Sequence, residues 1–484
     1  MKKSVLYFKV NKIFNKINYP FLAASLVIII GIFTLFVSPI IGMADNGDFY
    51  RVMNQNGVYH INKEDKDIFL GYFNKDYGIY KYNNDYAKIL ISTQSIFIKI
   101  AVFIDELFNK DYILDIRFMS ALFLLIQATG IYLLVKVLIN KIDKPKYKMI
   151  IVLLITLIFC DTGYFAYYNS FFGEGVNICC FLLSIGILMY MIEFDKVNVC
   201  TLFLFGVSSF LFFGAKQQLA PVGILIAFIF AKIGTLKKQK ILKGISFILF
   251  IIFIISSAVF YESITGDFKY INSYHAMNRG ILLNEDNPDE ILKNFNISSQ
   301  YSLLKDTNFF EETTLTDLYD KDLIDDYYKK FPIGKILSYY VTHPKVILKM
   351  AKASFSNSYS IRPEVIGNYE KKANKTFGQK SYFFALWSTF KDKIIPKNIL
   401  FSLVTIAIYL YISIRRFIKC KRDKNIKEIF IQEAYFYIFL VGFSQVIISV
   451  IGAGDADLAK HVFMYNMTFD LIFIYLISLM LKKA

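Results

Sequence analysis

Histidine, cysteine and charge are all in short supply in this sequence. The four histidines, His60, His275, His343 and His461, are too scattered along the chain to suggest a zinc site. The five cysteines, Cys160, Cys179, Cys180, Cys200 and Cys420, sit in or beside apolar stretches. No pair falls in the long polar segments where an oxidising compartment would use it, so disulfides are not expected. No basic region interleaved with aromatics exists for nucleic acid, and there is no internal repeat or low-complexity linker. Charged residues make up 19% of the chain and are confined to islands.

Between the islands lie apolar stretches. The chain of 484 residues is 55% hydrophobic and 17% aromatic, with a mean hydropathy of +0.44, outside the range of soluble globular domains. Stretches of about 17 to 25 apolar residues cross roughly 30 Å of hydrocarbon as helix. Ten are expected, near 20–42, 116–139, 149–163, 174–192, 199–214, 218–233, 243–261, 397–414, 430–451 and 463–481. The fold class is therefore an all-α polytopic membrane protein with about ten transmembrane helices, whose spans carry little charge. The first stretch has a basic start like a signal peptide, but it is too long and no small-x-small cleavage site follows, so it reads as an uncleaved span.

Short loops rich in Lys and Arg stay in the cytoplasm. With both termini inside, the cytoplasmic segments hold 24 basic residues against five acids. They include Lys2, Lys3, Lys9, Lys12, Lys141, Lys237, Arg415, Arg416, Lys427 and Lys483. The formal net charge of +16 is thus a topology signal, attracted by an anionic inner leaflet. None of these short loops contains the glycine-rich strand-to-helix turn that cradles nucleotide phosphates.

The bulk outside the bilayer falls in two outward segments. The expected organisation is 1–42, cytoplasmic N-terminus and first span; 43–115, first outer loop; 116–261, spans two to seven; 262–396, a large and mainly helical extracellular domain; and 397–484, spans eight to ten. "YAKILISTQSIFIKIAVFIDELF" has the spacing of an amphipathic helix lying along the membrane surface. "IGKILSYYVTHPKVILKMAKASF" has helical spacing around a His-Pro break.

The outward rim gathers ionisable groups beside helix ends. "GMADNGDFYRV" supplies Asp45, Asp48 and Arg51; "NSFFGEG" supplies Asn169 and Glu174; "GAKQQ" supplies Lys216 and Gln217; "HAMNRGIL" supplies Arg279; "GAGDADLAKHVFMYN" supplies Lys460 and His461. Each has an ordinary reading when taken singly. Asp-Asn-Gly is strong turn chemistry, Glu174 suits a helix first turn, Lys216 suits snorkelling to headgroups, and Lys460 with His461 suits an interface belt. Taken together, carboxylates that accept a proton from an attacking hydroxyl and cations that stabilise a departing phosphate suit group transfer from an anionic lipid carrier. Nucleotide-activated donors are not available outside, and a polyprenyl phosphate sugar meets the requirement.

The strings "ADNGDFYRV", "NSFFGEG", "AKQQ", "HPKVILKM", "RPEVIGNYE" and "GDADLAKHVFMYNMTFDL", spread from about residue 40 to 472, resemble the Firmicute cell-surface glycan hexose transferases described as WsfD-like. The arrangement of spans and outer segments is similar to the GT-C glycosyltransferases. The resemblance implies a Gram-positive cell-membrane enzyme with an outward active site. It would move a hexose from a polyprenyl-phosphate donor to a glycan acceptor, with inversion. It implies a catalytic base among the first-loop acids, Asp48 or Asp45, with Glu174 as the second acidic position. Lys216, Gln217, Arg279, Lys460 and His461 would face the donor phosphate, with Arg51 and Asn169 in the pocket. The first loop carries Asp-x-x-Asp rather than Asp-x-Asp; a divalent cation, magnesium or manganese, would be held by Asp45 and Asp48. A lipid-linked glycan flippase and a non-catalytic glycan assembly protein are the alternatives.

Overall fold

The computed structural model describes residues 16–80, 90–263, 268–311, 317–364 and 366–482. Lys2, Lys3, Lys9, Lys12 and Lys483, and residues 86–89 at the start of the expected surface helix, lie outside these. The described chain is mostly helical. α1 (Tyr19–Leu35) begins at the Asn18 side chain, which accepts from Phe21 N–H at 3.3 Å, with Pro20 in the first turn. α2 is Gln94–Phe108, α3 Arg117–Leu138, α4 Pro145–Phe159, α5 Glu174–Glu193, α6 Val199–Phe213, α7 Val222–Leu236 and α8 Lys240–Glu262. After them come α9 (Ile333–Thr342), α10 (Pro344–Asn357), α11 (Leu386–Lys393), α12 (Ile399–Arg422), α13 (Ile426–Ala453) and α14 (Phe463–Leu481).

All ten expected apolar stretches contain such a helix. Seven of the described helices are long and apolar enough to cross a membrane, or eight if α4 and Thr162–Asn169, bent by 45°, form one span; α1 and α6 are apolar but shorter. α5 is buried along nearly its whole length and forms the centre of the bundle. It meets α3 closely because glycines face one another: a Cβ on Gly130 would lie 2.7 Å from Leu183 N, and one on Gly186 would lie 2.9 Å from Gly130 O. α8 and α12 are peripheral. They turn Phe247, Ile251, Ile255, Leu403, Ile408 and Ile414 outward, an apolar surface suited to lipid rather than water.

Several expectations need correction. The chain is not purely helical: β1 (Val58–His60), β2 (Asp76–Ile79) and β3 (Ile113–Asp115) form an antiparallel sheet in the order β1-β2-β3. Strands of three or four residues are too short to show alternation in a sequence. The first helix ends at Leu35 rather than 42 because Pro39 cannot continue it. The chain then runs as a strap: Gly42 N–H donates to Asn368 O at 3.1 Å, Met43 N–H to Asn169 O at 3.2 Å and Ala44 N–H to Gly367 O at 3.1 Å. Nor is 262–396 one body. Residues from Ile271 to Met350 form their own core, capped by Val450 of α13, whereas Ile361, Ile366 and Trp387 belong to the core of the bundle.

The little charge expected within the spans includes one buried carboxylate. Asp470, in α14, is fully buried and pairs with fully buried Lys391 of α11 at 2.8 Å. Tyr164 and Trp387 donate to its other oxygen at 2.6 and 2.9 Å. Other expectations match the coordinates. The His-Pro break separates α9 from α10. α2 buries Phe97, Ile98 and Ala101 and exposes Ile96, Ile100, Phe103 and Leu107.

The two ends of the bundle differ in chemistry. At one, Lys141 pairs with Glu428 and lies 3.8 Å from Glu193, Lys427 lies 3.5 Å from Glu193, and Lys237 pairs with Asp195 at 2.6 Å. At the other, the first loop, the outer core and the loops after α4, α6 and α13 meet. The candidate residues fall there.

Candidate functional site

The turn Asp45–Asp48 sets the geometry. Asp45 Oδ1 accepts from Gly47 N–H at 2.8 Å and Phe49 N–H at 3.1 Å, and Oδ2 faces His60 Nε2 at 3.0 Å. Gly47 takes φ +95, a conformation open to glycine. The side chain of Asp45 is therefore buried and spent on holding the turn against β1. Asp48 is displayed instead. Its Oδ1 meets Arg51 Nη2 at 2.8 Å and its Oδ2 contacts Lys460 Nζ, while a quarter of its side chain remains exposed.

Lys460 arrives from the far end of the chain, on the one-turn helix Leu458–His461. It also lies 3.3 Å from Asp457, and its Nζ sits 4.5 Å from the centroid of the Phe172 ring. The Asn46 amide, oriented to satisfy both its ends, bridges the pair, its oxygen 3.0 Å from Lys460 Nζ and its nitrogen 3.3 Å from Asp48 Oδ2. Phe172 in turn packs edge-on to Phe49 at 4.7 Å. The "SFFG" string thus supplies a ring for the ammonium and, next to it, Gly173, where a Cβ would meet Lys216 Cγ at 2.8 Å. Only glycine leaves room for the Lys216 stem. Lys216 Nζ then reaches Glu174 Oε1 at 2.6 Å, on the first residue of α5; Glu174 is buried and Lys216 a quarter exposed.

Electrostatics ties the two pairs into one cluster. Burial of Asp48 acts to raise its pKa, but Lys460, Arg51 and, farther off, Lys216 hold the carboxyl well below the usual carboxylate range. Burial of Lys460 acts to lower its pKa, but Asp48, Asp457 and Glu174 hold it above the ordinary lysine value. His461 is brought down to about 3 by burial together with Lys216 and Lys460. Its Nδ1 lies 2.9 Å from Gln218 Oε1, and Gln218 Nε2 donates to His461 O at 2.6 Å. His461 is accordingly neutral at physiological pH. With the proton of the neutral ring on Nδ1, facing Gln218 Oε1, Nε2 is left as an acceptor, so His461 offers an anion neither a charge nor a hydrogen-bond donor.

The remaining expected residues lie around this centre. Gln217 donates to Tyr261 O at 2.6 Å and ties the α6–α7 turn to α8. Asn169 is a fully buried brace: Nδ2 donates to Leu35 O at 3.1 Å and Ile41 O at 2.8 Å, and Oδ1 accepts from Ser120. Arg279 is not drawn into the cluster. It pairs with Asp455 at 2.6 Å and Asp306 at 3.2 Å, joining the outer core to the loop after α13. A divalent-cation site at Asp45 and Asp48, which the sequence left open, does not fit these residues. Asp45 spends its oxygens on N–H groups and His60, those of Asp48 face cations, and the described residues contain no group of three His, Cys, Asp or Glu side chains able to hold a metal.

With the geometry in place, comparison with known proteins adds one finding. A family model described as the YfdI N-terminal transmembrane domain matches residues 7–484. The chain belongs to that family. No curated protein and no solved structure matches it. Membership agrees with the apolar bundle and makes this a membrane protein.

Within this YfdI-type domain, sequence reading missed His60, Gln218, Asp457 and Phe172 as members of the cluster. Gln218 stands beside Gln217 in "AKQQ" and Asp457 stands within "GDADLAKH", so strings already singled out contained them. Nothing local marks Phe172 among the 49 phenylalanines of the chain.

Proposed function

We propose that this chain is a GT-C-type membrane glycosyltransferase. It moves a hexose from a polyprenyl-phosphate donor to a glycan acceptor on the outer face of the cell membrane. One observation carries the reading. At the rim of an apolar bundle, Asp48, Glu174, Lys216 and Lys460, from four separated segments, meet in a partly solvent-open cluster. That is where a lipid-anchored phosphate and a water-soluble hydroxyl can both arrive. The span count of about ten and the basic end facing the cytoplasm belong to the same reading, by the distribution of Lys and Arg.

In this mechanism Asp48 takes the proton of the acceptor hydroxyl, the hydroxyl oxygen bonds to the anomeric carbon, and the bond from that carbon to the phosphate oxygen breaks with inversion. The electron pair leaves with the polyprenyl phosphate, whose added negative charge meets Lys460 and Lys216. Glu174 positions Lys216. Arg51 fixes the carboxylate of Asp48.

The test uses the purified chain in lipid with a polyprenyl phosphate hexose and an acceptor glycan. A new glycosidic bond, found by mass spectrometry and absent with Asp48→Asn, supports the proposal. Relocation of the lipid across the bilayer without a new bond would assign a flippase instead.

A further inference from the structure

Every cation that this site holds out to a departing phosphate is already occupied by a carboxylate. Lys460 contacts Asp48 and lies 3.3 Å from Asp457, Lys216 holds Glu174 at 2.6 Å, and Arg51 holds Asp48 at 2.8 Å. These three carboxylates, Asp48, Asp457 and Glu174, balance the three cations Lys460, Lys216 and Arg51. A phosphate entering the cluster must therefore displace a carboxylate from a cation rather than fill a vacant positive site. The two oxygens of Asp48 are also differently engaged: Oδ1 is on Arg51 and Oδ2 on Lys460. Oδ2 carries both Lys460 and the Asn46 amide nitrogen at 3.3 Å, so its two lone-pair positions are taken until Lys460 leaves.

We propose that the donor phosphate and Asp48 compete for Lys460, so that binding of the lipid donor is the event that frees Asp48 Oδ2 to act as the base. The proposal rests on the glycosyltransferase reading above and gives that reaction an order, lipid donor first and acceptor second. Lys460 is suited to the exchange. Its stem is buried and its ammonium lies over the Phe172 ring, which keeps it in place while its anionic partner changes. Asp457, about half exposed, can turn to water as the phosphate enters. Arg51 remains on Oδ1 and keeps the carboxylate oriented. Freed of Lys460, the carboxylate becomes a stronger base just when the anomeric carbon is in place, and an acceptor arriving at an empty site is not activated.

The experiment measures binding of polyprenyl phosphate, without sugar, to the full chain in nanodiscs. Because Asp48 is the competitor, Asp48→Asn and Asp48→Ser are expected to tighten binding, by about tenfold for one charge-assisted hydrogen bond. Lys460→Gln is expected to weaken it by a similar factor. In the Lys460→Gln background, Asp48→Asn is expected to change nothing further. Asp48 variants that fold and bind no tighter than the unmodified protein overturn the competition. So does a gain that persists without Lys460, since it then comes from the general field and not from this pair. Competition that holds in a protein making no glycosidic bond would leave the inference standing and remove the glycosyltransferase reading. Absence of any polyprenyl phosphate binding by the unmodified protein removes both.

Discussion

Two lysine–aspartate pairs define opposite uses of the same chemistry. Lys391 and Asp470 are both fully buried, between α11 and α14, and every charged atom has a partner: Asn466 and Asp470 for the ammonium, Tyr164 and Trp387 for the carboxylate. Lys460 and Asp48 are tied as closely, yet Asp48 is a quarter exposed and Asp457 and Asn46 crowd the same ammonium. The first pair has nowhere to send a partner and acts as a pin that draws residues 384–391 into the bundle, helped by Ser388 N–H on Asp161 at 2.9 Å. The second has alternative partners at hand, which is what the proposed exchange needs. Burial and alternative partners, rather than the ion pair itself, separate a structural contact from a working one.

The comparison is broken most severely at the pin. Lys391→Met leaves Asp470 charged and unpaired in the apolar interior, and such a loss costs about 3 to 5 kcal/mol. Thermal unfolding in detergent should show a large drop in Tm, most of it recovered in the double variant Lys391→Met/Asp470→Leu, which removes both charges. An unchanged Tm in the single variant would mean that the pair does not anchor the outer segment.

At the rim the order of effects reverses. Asp48→Asn should lower transfer by about 10² to 10⁴, while stability falls by about 1 to 3 kcal/mol, because Lys460 is buried but keeps Asp457 and Asn46 as partners. Lys216→Ala resembles it in stability, because Glu174 is buried while Lys216 is partly exposed. It should destabilise by about 1 to 3 kcal/mol and raise the donor concentration needed for half-maximal rate. Lys216→Gln combined with Glu174→Gln should restore the stability but not the donor affinity. Recovery of both would confine Lys216 to a structural role.

How far the sequence foretells these differences depends on the range of the signal. Apolar runs reveal helices because period and length are local, so every expected stretch contains one. The His-Pro break and the amphipathic face of α2 were legible for the same reason. The charged strings at the rim were legible as strings, and the coordinates bring Asp48, Glu174, Lys216, Lys460 and His461 together. What was hidden is pairing across the chain. Nothing in "FMYNMTFDL" announces that Asp470 meets a lysine 79 residues away, and nothing in "ADNGD" says that Asp45 turns inward to N–H groups while Asp48 turns outward. Those assignments depend on which loop lies opposite, a property of the assembled fold.

A smaller effect separates Asp48 from the imidazole of the rim by pH. The folded-state pKa of His461 is depressed to about 3 from an ordinary 6.5. Between those values the unfolded chain binds a proton that the folded one refuses, so His461 causes stability to fall as pH drops below about 6.5. Asp48 is also depressed from an ordinary 3.8, and its contribution is lost only below that value. Unfolding measured from pH 7 to 4 should therefore show an acid-side loss that shrinks in His461→Gln and persists in Asp48→Asn. The reverse pattern would place the titration on another group.

The smallest effect is expected at Arg279. Its guanidinium spends its donors on Asp455, through Nε at 2.6 Å and Nη2 at 3.3 Å, and on Asp306. Asp455 and Asp306 lie near enough to the surface that the pairing is worth about 0 to 1 kcal/mol. Arg279 is not drawn into the rim cluster, so a donor phosphate held by Lys460 and Lys216 would gain little from it. Arg279→Gln should then change polyprenyl phosphate affinity by less than about twofold, against the larger loss in Lys460→Gln. It should loosen the outer core from the loop after α13, seen as faster amide exchange at residues 454–457. If Arg279→Gln instead weakens phosphate binding as much as Lys460→Gln does, the donor site extends past Asp455, and the rim cluster is only half of it.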